Sequence, residues 1–391
     1  MLMLKKIREN ARSTRYSFLG IKFSIRNKEY IKKEIEENKH QIKIQDEYDL
    51  TFLNNAKFVI LFLTPGDCKI NGGVMSIFSL CSSSRKLVYD ATCVLSTYPH
   101  DRLTYATNSL FTNDESVLRF SQVMDNLSNV EKMIIHIPEY IAHKFVRKLS
   151  KKYIKKLKEV KNLHINILNQ NCELMPKPDE IQSLFSLTNN VTQTLAHDKS
   201  LSQQYCNLYQ IPTHLFSVNI DLSKYKTYEF KEKDRIIVLS PDVNEYTDSV
   251  KNLLEKKMLG WKIVIVNGLS FFEYMDLIAK AYFVITFGEG MDGYFIQPIY
   301  KGTISIAVYN DSFFPSEDWK DLQNVYTSYD ELLNNIVYDL TQYSSETKKY
   351  YRLIDECKTK IDSIYSSNKF FDNLVRFYEN NYDLIPEGRL K

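Results

Sequence analysis

Long apolar runs are missing from this chain. No window approaches the roughly 18 consecutive apolar residues that a membrane-spanning helix needs, and the start, MLMLKKIREN, carries charge with no apolar stretch behind it. Neither a spanning segment nor an export signal is therefore expected. Glycine (11) and proline (10) are scarce, which excludes collagen-like and low-complexity chains. The six cysteines, Cys68, Cys81, Cys93, Cys172, Cys206 and Cys357, stand far apart without a C-x-x-C pair, which argues against a disulfide scaffold or a zinc site and fits reduced thiols in a cytoplasm. A net charge of +3 is too small to make nucleic acid the main partner.

What is present is an ordinary globular composition, 44% apolar and 25% charged, in 391 residues, more than one hydrophobic core usually organises. Two domains, 51–228 and 229–391, are expected behind a basic extension at 1–50. That extension holds an apolar patch at 16–23, either a membrane-adjacent hairpin or a packed segment, and a charged helix near 27–39. Two basic clusters, Lys5, Lys6, Arg8, Arg12 and Arg15, then Lys144, Arg147, Lys148, Lys151, Lys152, Lys155, Lys156, Lys158 and Lys161, suit an anionic lipid surface. The expected location is the cytoplasm, at the inner face of the membrane.

From Lys57 the pattern becomes Phe58-Val59-Ile60-Leu61-Phe62-Leu63, an unbroken β-prone run of the kind buried on both faces of a parallel sheet. A glycine turn, Asn71-Gly72-Gly73, and an apolar helix follow. Further strands are expected at 88–95, 132–137, 163–168 and 192–195, with helices at 115–126, 140–160 and 178–187. After a segment at 215–221 that leads into a linker, a second series has strands at 235–239, 262–266, 282–287 and 303–308. Helices at 246–258, 271–280 and 295–300 alternate with them, and the tail from Asp330 is helical. Such alternation predicts two doubly wound α/β sheets.

In open α/β sheets ligands gather beyond the carboxyl ends of strands, where helix starts offer backbone N–H groups. Two loops have suitable glycines, Asn71-Gly72-Gly73 and Gly288-Glu289-Gly290-Met291-Asp292-Gly293, although either can serve only as a tight turn. In the second, Glu289 and Asp292 supply acceptors for the hydroxyl groups in which sugars are rich. His136 ends one strand and His197 follows another, each placing an imidazole toward the expected cleft or, alternatively, sitting satisfied and partly buried.

The run Thr286-Phe287-Gly288-Glu289-Gly290, continuing through Tyr294-Phe295-Ile296-Gln297-Pro298 to Lys301-Gly302-Thr303, resembles the E-x7-E region of retaining GT-B glycosyltransferases, particularly the GT4-like group. That resemblance implies two Rossmann-like domains facing a central cleft, with a helical tail. It implies transfer of a sugar from a nucleotide-sugar donor to a glycan or glycolipid acceptor of the bacterial surface, such as lipopolysaccharide or capsule, with retained configuration. Glu289 then holds the donor sugar, and Gln297 stands where a second Glu meets the ribose. Gly72, Gly73, Ser240, Gly288, Gly290, Met291, Asp292 and Gly293 complete the donor site; His136 joins Glu289 at the reacting centre, and His197 touches sugar or acceptor. GT-A enzymes hold a metal with D-x-D, and no such pair occurs here, so neither metal nor cofactor is expected.

Two departures stand out. Gln297 lacks a carboxylate's charge. The Arg and Lys that clamp a diphosphate are absent near Val238–Asp242, leaving Ser240, backbone donors or Lys301 to meet the phosphates; a CMP-linked donor, with one phosphate, needs less positive charge and stays open. A non-catalytic GT-B-like scaffold or glycan-binding subunit is the alternative reading. A nicotinamide dehydrogenase is disfavoured because no G-x-G-x-x-G follows the first strand.

Overall fold

The computed structural model describes residues 5–10, 13–18, 21–68, 71–111, 113–197, 201–217, 219 and 222–388, the side chains of residues 5–26 and Cys172 aside. Arg12 of the first basic cluster, residues 19 and 20 of the apolar patch, and residues 218, 220 and 221 of the linker-like segment lie outside the described residues. Strands β1 (Lys5–Asn10), β2 (Ser13–Phe18) and β3 (Ile21–Arg26) form an antiparallel sheet ahead of a helix over Lys28–Asp46. The helix starts where Asn27 accepts the Tyr30 N–H at 3.1 Å, a side-chain cap that satisfies a donor the helix cannot.

The first large sheet contains β4 (Phe58–Thr64), β5 (Thr92–Thr97), β6 (Val117–Leu118), β7 (Lys132–Pro138), β8 (Asn162–Asn169), β9 (Val191–Leu195) and β10 (Thr213–Leu215), all parallel, in the order β10-β9-β8-β7-β4-β5-β6. Every residue of β4 is buried, which is why it reads as an unbroken apolar run. The second sheet, again parallel, contains β11 (Asp234–Leu239), β12 (Lys262–Ile265), β13 (Ala281–Ile285), β14 (Ile304–Val308) and β15 (Val325–Tyr326), in the order β12-β11-β13-β14-β15. The doubly wound α/β architecture expected from the sequence is thus present twice.

In each sheet the chain builds outward one way and then crosses back. The order reverses between β4 and β7 in the first sheet and between β11 and β13 in the second. Loops leaving neighbouring strands at such a reversal part to opposite faces and open a crevice at the carboxyl edge. Topology therefore singles out four loops, those after β4, β7, β11 and β13.

Several elements differ from expectation. The helix expected over 140–160 is broken into turns at Glu139–Ala142 and Val146–Lys148 and a helix at Lys151–Glu159, restarted by Ser150 capping the Tyr153 N–H. Residues 178–187 give only a 3₁₀ turn, Gln182–Ser186. The strand expected at 88–95 lies at Thr92–Thr97, because the helix Gly72–Leu87 runs up to Val88, and the helix expected from 115 begins at Phe120, after β6. The helices Tyr329–Ser345 and Thr347–Ile364 pack in the second lobe. The helix Ser367–Tyr378 returns to the first sheet, where Phe370, Leu374 and Phe377 share an apolar cluster with Ile60 and Phe62, and Leu384 bridges to Thr213. The tail therefore packs on the first lobe as well, not only on the second, where the sequence reading put it. No helix among the described residues is long and apolar enough to cross a membrane.

Candidate active site

The loop after β13 is built from the inside out. Asp292 caps the helix Gly293–Tyr300, its Oδ1 accepting the N–H groups of Tyr294 and Phe295 at 2.8 and 3.1 Å, while its Oδ2 accepts the Thr286 hydroxyl at 3.0 Å. Burial pushes this carboxyl up to about 7, against the pull of Thr286. With both oxygens engaged, Asp292 holds the loop and does not serve as the free hydroxyl acceptor expected of it. Met291 is buried in the core of the lobe, so its side chain is not available to a ligand. Gly290 has φ +85°, and a Cβ there would come within 2.7 Å of the Phe314 ring, so this turn requires glycine.

With 291 and 292 turned inward, Glu289 turns outward. It is half-buried, and its Oε1 accepts from Asn171 Nδ2, on the first lobe, at 3.3 Å. Burial raises its carboxyl, and the negative charges of Glu173 and Asp242 raise it further. Gln297 folds back along its helix: a Cβ on Gly293 would lie 3.2 Å from its Nε2, which puts the amide beside the glycine loop. Gly288 faces Asp242, whose carboxyl would be 3.0 Å from an added Cβ.

Two expected phosphate ligands are occupied elsewhere. Ser240 is buried, and its Oγ accepts the Phe287 N–H at 3.1 Å, tying the end of β11 to the end of β13. Lys301 sends its Nζ to the carbonyls of Leu222 and Tyr225 at 2.7 and 2.8 Å, where the ammonium neutralises backbone dipoles of the connecting segment. Helix starts supply further positive ends. Asn71 caps the 16-residue helix Gly72–Leu87 by accepting the Val74 N–H at 2.9 Å, and Gly72 faces open space, with nothing within 4 Å of an added Cβ.

The opposite wall comes from the carboxyl ends of β7, β8 and β9. Four buried side-chain atoms there have no hydrogen-bond partner: Glu139 Oε2, Asn169 Oδ1, Gln170 Nε2 and His197 Nδ1. Glu139, 4% exposed, has its carboxyl pushed up to about 7 by burial, against the pull of backbone N–H groups at 139, 170 and 171. Gln170 also faces Gly73, whose added Cβ would meet its Oε1 at 2.6 Å, so a larger residue there pushes the Gln170 amide aside. The His197 ring meets Phe313 of the second lobe edge-on at 6.2 Å, and burial lowers its pKa. Two contacts, Asn171 with Glu289 and His197 with Phe313, thus join the walls.

His136 does not join them. It is fully buried, stacked on Phe62 at 4.5 Å, with Nδ1 3.1 Å from Asn166 Nδ2 and Nε2 3.5 Å from the Tyr378 hydroxyl under the returning tail helix. Burial drives its pKa well below the ordinary value, with His164 adding to the effect. It is a core residue, not the cleft group expected from its place in the strand. The residues that the sequence reading missed are Glu139, Gln170 and Asn171. Their signal is topological: Glu139 follows β7, one strand of the order reversal, and becomes visible only once β7 is known to lie beside β4. A cavity of about 580 Å³ lined by Lys57, Glu131 and Lys156 lies at the opposite, amino-terminal edge of these strands, with Lys57 and Glu131 paired at 2.7 Å.

No family model and no curated protein sequence matches the chain. Solved structures do. An alpha-glucosyltransferase in complex with UDP-glucose and DNA containing an abasic site superposes with a TM-score of 0.55 at 11% identity, over 81% of this chain and 99% of that one. An alpha-glucosyltransferase in complex with UDP gives 0.53 at 11% identity, over 83% and 98%. Sucrose-phosphate synthase from Thermosynechococcus elongatus gives 0.51 at 10% identity, over 82% and 98%. At this level of identity the likeness speaks for architecture, and with the two parallel sheets and the helical tail it establishes the GT-B fold of the glycosyltransferases.

Proposed function

We propose that the chain transfers a sugar from a nucleotide-sugar donor to a hydroxyl acceptor, in the crevice between the two carboxyl edges. The observation that carries this reading is the set of unpartnered buried polar atoms at Glu139, Asn169, Gln170 and His197, next to the outward-facing Glu289. Buried polar groups are nearly always paired, so several left open together along the carboxyl edge of the sheet, from β7 at the order reversal to β9, suit a ligand with several hydroxyls. A sugar supplies donors and acceptors in one compact ring. The phosphates belong away from the carboxylates Glu173, Asp242 and Glu289, at the helix starts of Gly72 and Gly293.

UDP is the nucleotide we assign, since structures of similar fold hold UDP or UDP-glucose. We extend the assignment to the GT4-like mode, with Glu289 on the sugar, Gln297 on the ribose and retained configuration, and, in the absence of a D-x-D pair, to transfer without a metal. The acceptor we assign is a bacterial-type surface glycan at an anionic membrane, supported by the lysines of the helix Lys151–Glu159.

Thermal unfolding with UDP, GDP, TDP and CMP sugars tests the donor. The UDP sugars raise Tm while the other classes leave it unchanged, and a flat response to all four refutes the reading. Because alpha-glucosyltransferase structures hold DNA, a duplex oligonucleotide is the competing acceptor probe, and sugar incorporated into it instead of into glycan overturns the acceptor assignment.

A further inference from the structure

Glu289 has little to steady it within its own loop. Its neighbours on either side are glycines, and Met291 and Asp292 turn inward. Burial acts against its charge, and the carboxylates of Glu173 and Asp242 add to this. A glutamate without a fixed partner moves among several rotamers, whereas a group that must meet one sugar hydroxyl gains from being held in one. Among the described residues, one side-chain donor reaches it, Asn171 Nδ2 at 3.3 Å, and that donor belongs to the other wall.

Asn171 is itself held from behind. It follows β8 and caps the short turn Cys172–Leu174, its Oδ1 accepting the Glu173 N–H at 2.8 Å. A backbone N–H can only donate, so this contact decides which end of the amide is which: the oxygen faces the turn, and the NH2 group faces Glu289. Gln170, one residue earlier, lies against Gly73 at the start of the helix Gly72–Leu87. The loop after β8 therefore touches both the helix start assigned to the phosphates and the carboxylate assigned to the sugar.

Resting on the glycosyltransferase reading, we propose that Asn171 is a positioning residue, which holds Glu289 from across the crevice so that its carboxylate meets the donor sugar in one orientation. The amide acts through Glu289 and takes no part in bond making. A carboxylate accepts at both oxygens, so Oε1 stays on the amide while Oε2 is left for a sugar hydroxyl. Because the amide sits on the first lobe and the carboxylate on the second, the sugar site is complete only with both walls in contact.

The test uses the full chain and UDP-glucose, with water standing in for the acceptor hydroxyl and UDP release followed. Asn171→Asp separates the two contacts of this side chain, since its carboxylate still caps the Glu173 N–H while the NH2 group is lost to a second oxygen. A residue that served the turn alone would tolerate it. Asn171→Ala lowers kcat for UDP release about 10-fold, and Asn171→Asp, which sets a carboxylate against Glu289, about 100-fold, while UDP alone raises Tm as in the wild type. In a Glu289→Gln background that penalty disappears: the introduced amide donates to the introduced carboxylate, so Asn171→Asp costs no further kcat. Wild-type kcat in Asn171→Asp, or an equal loss in both backgrounds, overturns the role of Asn171 and leaves the glycosyltransferase reading standing. A wild type that shows neither a Tm rise with UDP nor UDP release overturns both.

Discussion

The first sheet carries two polar clusters that differ in one respect. Under the tail helix, His136, Asn166, Thr194, Thr192 and His164 form a closed chain: Asn166 meets His136 at 3.1 Å and the Thr194 hydroxyl at 3.0 Å, Thr192 donates to Asn166 Oδ1 at 2.9 Å, and His164 Nε2 meets Thr192 at 2.7 Å. At the carboxyl ends of β7, β8 and β9, Glu139, Asn169, Gln170 and His197 each keep an atom without a partner. Burial is common to both clusters, and chemistry is similar. Closure is what distinguishes these two clusters, and an unmade hydrogen bond in the interior costs about 1–3 kcal/mol unless something arrives to make it.

The largest expected effects set one cluster against the other. Glu289→Ala removes the carboxylate that faces the open cluster, and should cut UDP release from UDP-glucose by about 100-fold or more while leaving the unfolding midpoint unchanged. Retention of wild-type release in that variant would sink the placement of the sugar. His136→Ala should do the reverse: it opens a cavity beside Phe62 and strands the amide of Asn166, costing about 2–4 kcal/mol in denaturant unfolding, while the protein that remains folded turns over normally. If His136→Ala instead abolished release without loss of stability, the division between closed and open clusters would fail.

How much of this could be seen in the sequence follows from what each feature depends on. The run 58–63 announced β4 because a parallel strand buried on both faces leaves no polar alternation to confuse the reading, and 235–239 announced β11, of which Ile237–Leu239 is buried in the same way. The glycine loop at 288–293 was legible for a local reason, three glycines directly after an apolar strand. Helix boundaries inside 140–160 were not, since the lysine-rich pattern runs straight across Ser150, and only the cap reveals the restart. The imidazole at 136 was misread and the carboxyl at 139 missed for a shared reason. Which of them faces the crevice depends on strand order and on a tail helix more than 200 residues further along, and neither leaves a trace in the local pattern. Lys301 was misassigned similarly, its partners being carbonyls of the distant segment 222–225.

A smaller effect sharpens the comparison through pH. His164, held neutral by burial with a pKa of about 3, binds its proton in the unfolded chain below about 6.5 but not in the fold, so it lends stability that is full above 6.5 and is lost as pH falls. Glu139 has the opposite sign. Its folded carboxyl, at about 7, lies above the unfolded value of 4.5, so the fold binds the extra proton and the contribution is lost as pH rises through that window. The two slopes oppose each other between about pH 4.5 and 6.5. Relative to the wild type, Glu139→Gln should therefore make stability fall more steeply on acidification, and His164→Gln less steeply, each by about 1.4 kcal/mol per pH unit. Denaturant unfolding at pH 6.5 and 4.5 measures both, and slope changes of the same sign would contradict the contrast.

The smallest effect concerns the helix start that faces the crevice. Gly72 has no positive φ and nothing within 4 Å of an added Cβ, so Gly72→Ala meets no steric obstacle in the free protein, and alanine in place of glycine within a helix is worth up to about 0.5–1 kcal/mol of added stability. A glycine that is dispensable to the fold in this way needs another reason for its place. If the donor phosphates approach the backbone N–H groups there, a methyl group stands in their path, and the Tm rise produced by UDP should shrink in Gly72→Ala even as the unliganded Tm holds or climbs. An undiminished response to UDP would move the phosphates to the other helix start, at Gly293, and leave Gly72 as a plain turn residue.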